Sequence, residues 1–201
     1  MSILEAKYMQ RCIEGSDINE HLPVLRKYGE ECIHITETGV SSVVSSYAFG
    51  VALKGKSGNK LVQVDLNNHP NIIQFGKDCI AEGVNVVFHE QSDLICPLEQ
   101  TDLLFIDTWH IYGHLKRELA RWHQYTNKYI IMHDTTVDEW HGETIRRGWN
   151  ATEQSQDTGI PIEEITRGLW PAIDEFLKEH PEWIIEKRYV NNNGLTILKR
   201  V

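Results

Sequence analysis

Asp107, Trp109 and His110 follow directly on the apolar run Leu103-Leu104-Phe105-Ile106, and His133-Asp134 follow on a second run over 128–132. A carboxylate and an imidazole three residues apart can do two kinds of chemistry. The imidazole, with an unperturbed pKa of about 6.5, suits a general base at neutral pH. Two carboxylates brought together from successive strands could instead share a divalent ion, and Mg²⁺ accepts such a pair with waters completing its shell. The plainer alternative is that Asp107 caps the following helix and His110 is a solvated first-turn residue, since Asp is a favoured N-cap. Recurrence of an acid at Asp134, at the end of the next strand, counts against capping alone; a strand over 60–64 ends likewise at Asp65.

These residues need elements to carry them. In an open parallel α/β sheet, ligands bind outside the carboxyl ends of the strands, where all three acids would lie. Short apolar runs alternate with longer amphipathic ones, which is the βαβ pattern. Strands are expected over 31–36, 60–64, 85–89, 103–106 and 128–132, with helices over 41–53, 71–82 and 111–122. In the last of these Ile111, Leu115, Leu119 and Trp122 share one face. A helix from Trp170-Pro171 to Lys178 precedes two strands, 183–190 and 195–199, joined through Asn191-Asn192-Asn193-Gly194, residues that tolerate the positive φ of a hairpin turn. The fold class is therefore α/β: a Rossmann-like, doubly wound, mostly parallel seven-stranded sheet closed by an antiparallel C-terminal hairpin strand. Two helices, 3–14 and 19–27, have no strand partner and form a cover over 1–30. The polar stretch 135–168, with four Gly or Pro breaks and Trp140 and Trp149, is expected to be a mobile substrate lid.

A single domain over 1–201 fits the length and the 41% hydrophobic content. The net charge of −9 argues against nucleic acid or an anionic membrane surface as partner. No apolar run approaches the ~18 residues of a membrane span, and the first residues lack a signal-type apolar segment. Cys12, Cys32, Cys79 and Cys96 have no metal-type spacing and are expected as free thiols in a reducing, cytoplasmic setting.

Gly39, in Thr36-Glu37-Thr38-Gly39-Val40-Ser41-Ser42, is where a backbone could approach a ligand closely. Asp65 ends a strand where an acid can accept hydrogen bonds from ribose hydroxyls, and Gln91-Ser92-Asp93 lies where an adenine edge would fall. Neither the G-x-G-x-x-G of dinucleotide enzymes nor the G-K-[ST] of triphosphate sites is present, which disfavours a nicotinamide oxidoreductase.

Over 37–134, about half the chain, the sequence resembles class I S-adenosylmethionine-dependent methyltransferases. The pattern is nearest to the catechol O-methyltransferase-like group and to small bacterial and viral sugar O-methyltransferases. Glu37-Thr38-Gly39 resembles that group's first motif, Val64-Asp65-Leu66-Asn67 its ribose-binding acid and Gln91-Ser92-Asp93 its adenine segment. Asp107-Thr108-Trp109-His110 resembles both the Asp-x-Trp-Lys of catechol enzymes, with His for Lys, and the Asp-x-x-His of their sugar-modifying relatives. Two departures stand out: Val43 falls near the motif's second glycine, and His133 replaces an acid of the acidic pair, while Ser45 keeps the family's serine.

The resemblance implies an S-adenosylmethionine-dependent O-methyltransferase with Glu37, Gly39, Ser45, Asp65, Gln91, Ser92 and Asp107 on the cofactor. His110 and Asp107 would be catalytic, and Asp107 and Asp134 would hold Mg²⁺ or Mn²⁺ if an ion is used; hydrogen bonding of the two acids to substrate or to His110 is the alternative. A sugar or glycan hydroxyl is the expected acceptor, with Trp109, Trp140, Trp149 and Asp134 on the substrate; Trp122 is expected in the core. A catechol-type acceptor, or a non-catalytic cofactor-binding domain of the same fold, is the runner-up. The acceptor is a small molecule or glycan, and a homodimer is left open. His114, His123, His141 and His180 are read as ordinary surface histidines.

Overall fold

The structure is a computed structural model describing residues 1–201. The run that opens the site is the central strand, and its register explains its composition. In β4 (Thr101–Ile106), Leu103 and Phe105 enter the core on one side of the sheet while Leu104 and Ile106 enter the core on the other. A strand covered on both faces has no polar side to show, so it reads as continuous apolar sequence rather than alternation.

Around it stand β1 (His34–Thr38), β2 (Lys60–Asp65), β3 (Val86–Glu90), β5 (Thr126–His133), β6 (Trp183–Tyr189) and β7 (Leu195–Arg200), in the spatial order β3-β2-β1-β4-β5-β7-β6. The first five are mutually parallel, and β7 runs antiparallel to both β5 and β6. The seven-stranded, mostly parallel sheet with its antiparallel C-terminal hairpin is as the sequence predicts. One face is covered by α1 (Ile3–Ile13), α2 (Leu22–Gly29), α3 (Ser45–Leu53) and α4 (Pro70–Ala81), through Leu4, Leu22, Phe49 and Phe75. The other is covered by α5 (Tyr112–Trp122) and α9 (Trp170–Glu179), through Leu115, Leu119, Trp122, Ile173 and Phe176. No helix is long and apolar enough to cross a membrane. All four cysteines are free; Cys32, Cys79 and Cys96 are buried and Cys12 is half-buried.

Three departures from the sequence reading bear on the site. The first strand begins at His34 rather than 31, because Glu31 and Cys32 close the last turn of α2 onto Tyr28 and Gly29, and Lys56 Nζ caps the carbonyls of Gly29, Glu30 and Cys32. α3 begins at Ser45 rather than 41: Gly39, Ser41 and Val43 all have positive φ (79°, 45° and 66°), which winds a tight loop before the helix can start. Val43 thus adopts the left-handed conformation that a glycine would take without strain, at a cost the buried packing of its side chain must offset. The stretch 135–168 is built of three short helices, α6 (Glu143–Arg147), α7 (Ala151–Thr158) and α8 (Ile162–Thr166). It is braced internally by Arg146 donating from two nitrogens to Asp138 at 2.6 Å each and joined to α5 by Arg117 donating to Glu164 at 2.6 Å.

Candidate active site

The order β2-β1-β4-β5 reverses the winding between β1 and β4, and the carboxyl ends of these strands part there into a crevice. Gly39 ends one side and Asp107 the other. They touch so closely that a Cβ on Gly39 would lie 1.9 Å from the Asp107 carbonyl oxygen. Two cavities meet at this contact. The larger, about 800 Å³, is lined by Gly39, Asp65, Gln91, Ser92, Asp93, Asp107 and Trp109, with Trp149 and the α7 residues Gln154, Asp157 and Thr158 as its outer wall. The smaller, about 250 Å³, is polar and is lined by Asp17, Ser41, Ser42, Ser45, Asp107, His110, Asp134, Glu143 and Arg147 among others.

Asp65 holds the loop as well as facing the larger cavity. Its Oδ2 accepts from the amides of Val40 and Ser41, both at 2.9 Å, and its Oδ1 from that of Asn67 at 2.9 Å. Glu37, expected on the cofactor, is fully buried and lines neither cavity. Its carboxylate accepts from Ser45 Oγ, from Ser46 Oγ at 2.6 Å and from Gln63 Nε2 at 2.9 Å, which fastens β1 to the start of α3 and to β2. Burial pushes Glu37 up to about 7 against those three hydrogen bonds, which pull the other way.

Because folded Glu37 binds its proton more tightly than the unfolded chain, it costs no stability below the usual carboxyl range, and the cost grows as pH rises through 7. Glu37→Gln should therefore gain on the order of 3 kcal/mol relative to wild type between about pH 4.5 and pH 8. Urea denaturation at the two pH values measures this, and a pH-independent difference between the proteins would remove Glu37 as the titrating group.

At the junction of the cavities, His110 lies between the acids that end β4 and β5. Its Nε2 is 3.1 Å from Asp107 Oδ1, and its Nδ1 is 2.9 Å from Asp134 Oδ2 and 3.5 Å from Glu143 Oε2. Asp134 is held at φ +57°, unusual for a non-glycine residue and of the kind that clusters at functional sites. His133 reaches Asp107 Oδ1 with Nδ1 at 3.2 Å, while its Nε2 faces the carbonyls of Asp17 at 3.0 Å and Asn192 at 3.2 Å. Burial opposes charge on each of these groups, and their mutual pairing outweighs it. Asp107 is held well below the usual carboxylate range by His133 and His110, and His133 is pushed up to about 9. The hydrogen bond to Asp107, and the Asp134 and Glu143 carboxylates facing the other ring nitrogen, hold His110 well above an ordinary histidine, which corrects the expectation of a base poised near 6.5.

The oxygen-rich donor set fits a divalent ion. The ligating atoms of Asp107, His110 and Asp134 all lie within 4.8 Å of one another, and His110 Nδ1 and Asp134 Oδ1 are buried without a hydrogen-bond partner.

The structure brings together Gly39, Asp65, Gln91, Ser92 and Asp107 on the larger cavity, and Ser45, Asp107, His110 and Asp134 on the smaller. Trp109 and Trp149 line the larger cavity, whereas Trp140 is 58% exposed and lines neither, so its expected place in an acceptor pocket is not met. Trp122 is in the core. His114 and His123 are not surface residues: His114 lines the larger cavity and is 3.2 Å from Asp93, and His123 is buried against Phe176. Glu143, Asp138 and Glu118 were missed. A charged residue inside the apolar stripe of α5 was a readable signal for Glu118; nothing local marks the other two.

No protein-family model matches the chain, and no curated protein matches its sequence. Solved structures do match. The O-methyltransferase TomG from Streptomyces achromogenes, in complex with S-adenosylmethionine, superposes with a TM-score of 0.63 at 13% identity, over 100% of this chain and 91% of that one. An O-methyltransferase from Bacillus cereus in complex with S-adenosylhomocysteine gives 0.59 at 12% identity, over 98% and 90%. A Podospora anserina methyltransferase bound to S-adenosylhomocysteine gives 0.55 at 14%, over 98% and 87%. At such identities the likeness is one of architecture, and by its strand order and full-length superposition this chain has the Rossmann-like fold of S-adenosylmethionine-dependent methyltransferases.

Proposed function

We propose that the protein is an S-adenosylmethionine-dependent O-methyltransferase whose acceptor is a hydroxyl of a sugar or glycan, acting in the cytoplasm. The observation that carries this reading is the meeting of the two cavities at Gly39 and Asp107, with the cluster around His110 at the junction. The larger cavity is of the size that takes a cofactor. Asp65 would take its ribose and Gln91 and Ser92 its base, and the methyl-bearing sulfonium would lie toward Asp107. The acceptor enters from the smaller cavity, whose serines, acids and Arg147 suit a polyhydroxyl compound. Trp109 and Trp149, expected on the acceptor, line the larger cavity and not the smaller one.

The reaction is an in-line displacement. The acceptor oxygen attacks the methyl carbon, the carbon–sulfur bond breaks to leave a neutral thioether, and the hydroxyl proton must leave. Alignment alone can supply roughly 7–11 kcal/mol. Asp107 and Asp134 orient the hydroxyl, and His110, once deprotonated, takes the proton. Asp107 and Asp134 are also the pair that would hold Mg²⁺ or Mn²⁺, which would supply a Lewis acid lowering the pKa of the acceptor hydroxyl.

Calorimetric titration with S-adenosylmethionine tests the assignment. Wild type should bind it and not a nicotinamide dinucleotide, and Asp65→Ala should bind at least about tenfold more weakly, the scale of losing a charge-assisted hydrogen bond. Unchanged affinity in a folded Asp65→Ala protein would remove the ribose assignment.

Residues 135–168 are proposed as a lid that orders when the site fills. α7 has no buried residue and lies between Gly148 and Gly159, both with positive φ, and it walls the larger cavity. Limited proteolysis should cut first at 148–159, and S-adenosylhomocysteine should protect those bonds; equal cleavage with and without it would mark a static wall.

A further inference from the structure

We propose that Asp93, His114 and Glu118 form a binding site for a divalent transition-metal ion, separate from the Asp107, His110 and Asp134 cluster. His114 and Glu118 are four residues apart on α5 and so project from one face of the helix. Asp93 comes to them from the loop after β3. His114 Nε2 is 3.2 Å from each Asp93 carboxylate oxygen, and one ligand atom from each of the three residues lies within 4.8 Å of the others. Ligands held at about 2.0–2.2 Å on one ion stand roughly 3–3.5 Å apart, so the imidazole and carboxylate already have the spacing of neighbouring ligands.

The oxygens themselves point to a missing partner. Glu118 is 1% exposed, and its Oε1 accepts from the hydroxyls of Thr108 at 2.9 Å and Thr38 at 3.4 Å, whereas its Oε2 has no partner. Asp93 is 7% exposed, and its Oδ2 is likewise without a hydrogen bond. No lysine or arginine forms a salt bridge with either carboxylate, in a region where an unpaired buried charge is strongly disfavoured. An ion bound by the three side chains would satisfy both free oxygens, and the two threonines would fix the orientation of Glu118 as outer-shell groups do.

One imidazole with two carboxylates suits Zn²⁺, Mn²⁺, Fe²⁺ or Co²⁺, with the nitrogen ligand counting against Ca²⁺. Asp93 and His114 both line the larger cavity, so the ion has an entry path and keeps a position open to it. Its effect would be to pin the loop after β3 to α5, fixing the wall on the side assigned to the cofactor base. The placement does not depend on the proposed methyl transfer.

The test is a titration of metal-free protein with Co²⁺, read by its visible ligand-field absorption, in an Asp134→Asn background that weakens the other cluster. One saturable equivalent is expected, displaceable by Zn²⁺. Adding His114→Gln or Glu118→Gln to that background should each weaken binding at least about tenfold with circular dichroism unchanged. Absence of saturable binding in the Asp134→Asn protein, or its survival in either double variant, would overturn the site. Survival would place the ion elsewhere, and absence would mean that a shared proton joins the two carboxyls. The two double variants are read independently, so a folding failure in one leaves the other to decide.

Discussion

Asp107→Asn should lower kcat for methyl transfer by about 10²–10⁴, the range for losing a positioned acid–base or electrostatic group, while cofactor affinity changes far less. The carboxylate does three things at once, and an amide lacks the charge that binds them together. Its Oδ1 accepts from His110 and His133 together, it stays ionised because of them, and it stands at the junction of the two cavities. An amide oxygen there could still accept from the two rings, but without the negative charge that keeps them protonated. His110→Ala should lose turnover on a similar scale.

The pH profile separates the roles. Because the surrounding acids keep a proton on His110, the wild-type rate should rise with pH through an inflection above the ordinary histidine value. His110→Ala should lack that limb. A chelator should abolish turnover and added Mg²⁺ or Mn²⁺ restore it if Asp107 and Asp134 hold an ion. Full activity after chelation would leave the two acids as hydrogen-bond acceptors for substrate, and near-wild-type turnover of His110→Ala across the pH range would pass the role of base to Asp107.

Gly39→Ala should destabilise the fold by upwards of about 4 kcal/mol and abolish cofactor binding, an effect reserved for a short list of causes. Here two causes act at one atom. The residue has φ +79°, and the new methyl would lie 1.9 Å from a backbone oxygen that cannot swing aside as a flexible side chain could. Relief requires β1 and β4 to part, which opens the crevice where the cavities meet. Gly58→Ala is the control: its φ of +71° carries the same backbone strain, but nothing lies within 4 Å of the added carbon, so about 1 kcal/mol is expected. Chemical denaturation and calorimetry of both variants measure the difference, and similar losses in the two would show that φ rather than contact with Asp107 dominates.

The strand ends were legible because their physics is local. An apolar run halted by an acid is the same signal at Asp65, Asp107 and Asp134, and parallel pairing then carries all three to one edge. What lay beyond a short window was less legible. Glu37 sits in the motif beside Gly39, yet strand alternation turns its side chain into the protein, toward Ser46 and Gln63. Asp138 and Glu143 belong to a stretch whose polarity reads as loop, and only tertiary contacts bring them to His110: the Glu143 amide donates to the His110 carbonyl and the Asp138 amide to that of Asp134. Trp140 was misplaced for a related reason: an aromatic in a polar segment can wall a pocket or face water, and nothing in its neighbours decides which.

The free cysteines have a use at the bench. Burial pushes Cys32 up to about 12 and Cys96 up to about 11 and raises Cys79 as well, so none of the three offers a thiolate at neutral pH. Cys12, half-buried in α1, is the thiol left to an alkylating reagent. Its backbone carbonyl accepts from Asn19 Nδ2, just beyond the Asp17 and Ile18 that line the smaller cavity. A fluorophore attached there would be a single-site reporter near the residues that line the smaller cavity, with no thiol engineered in or out.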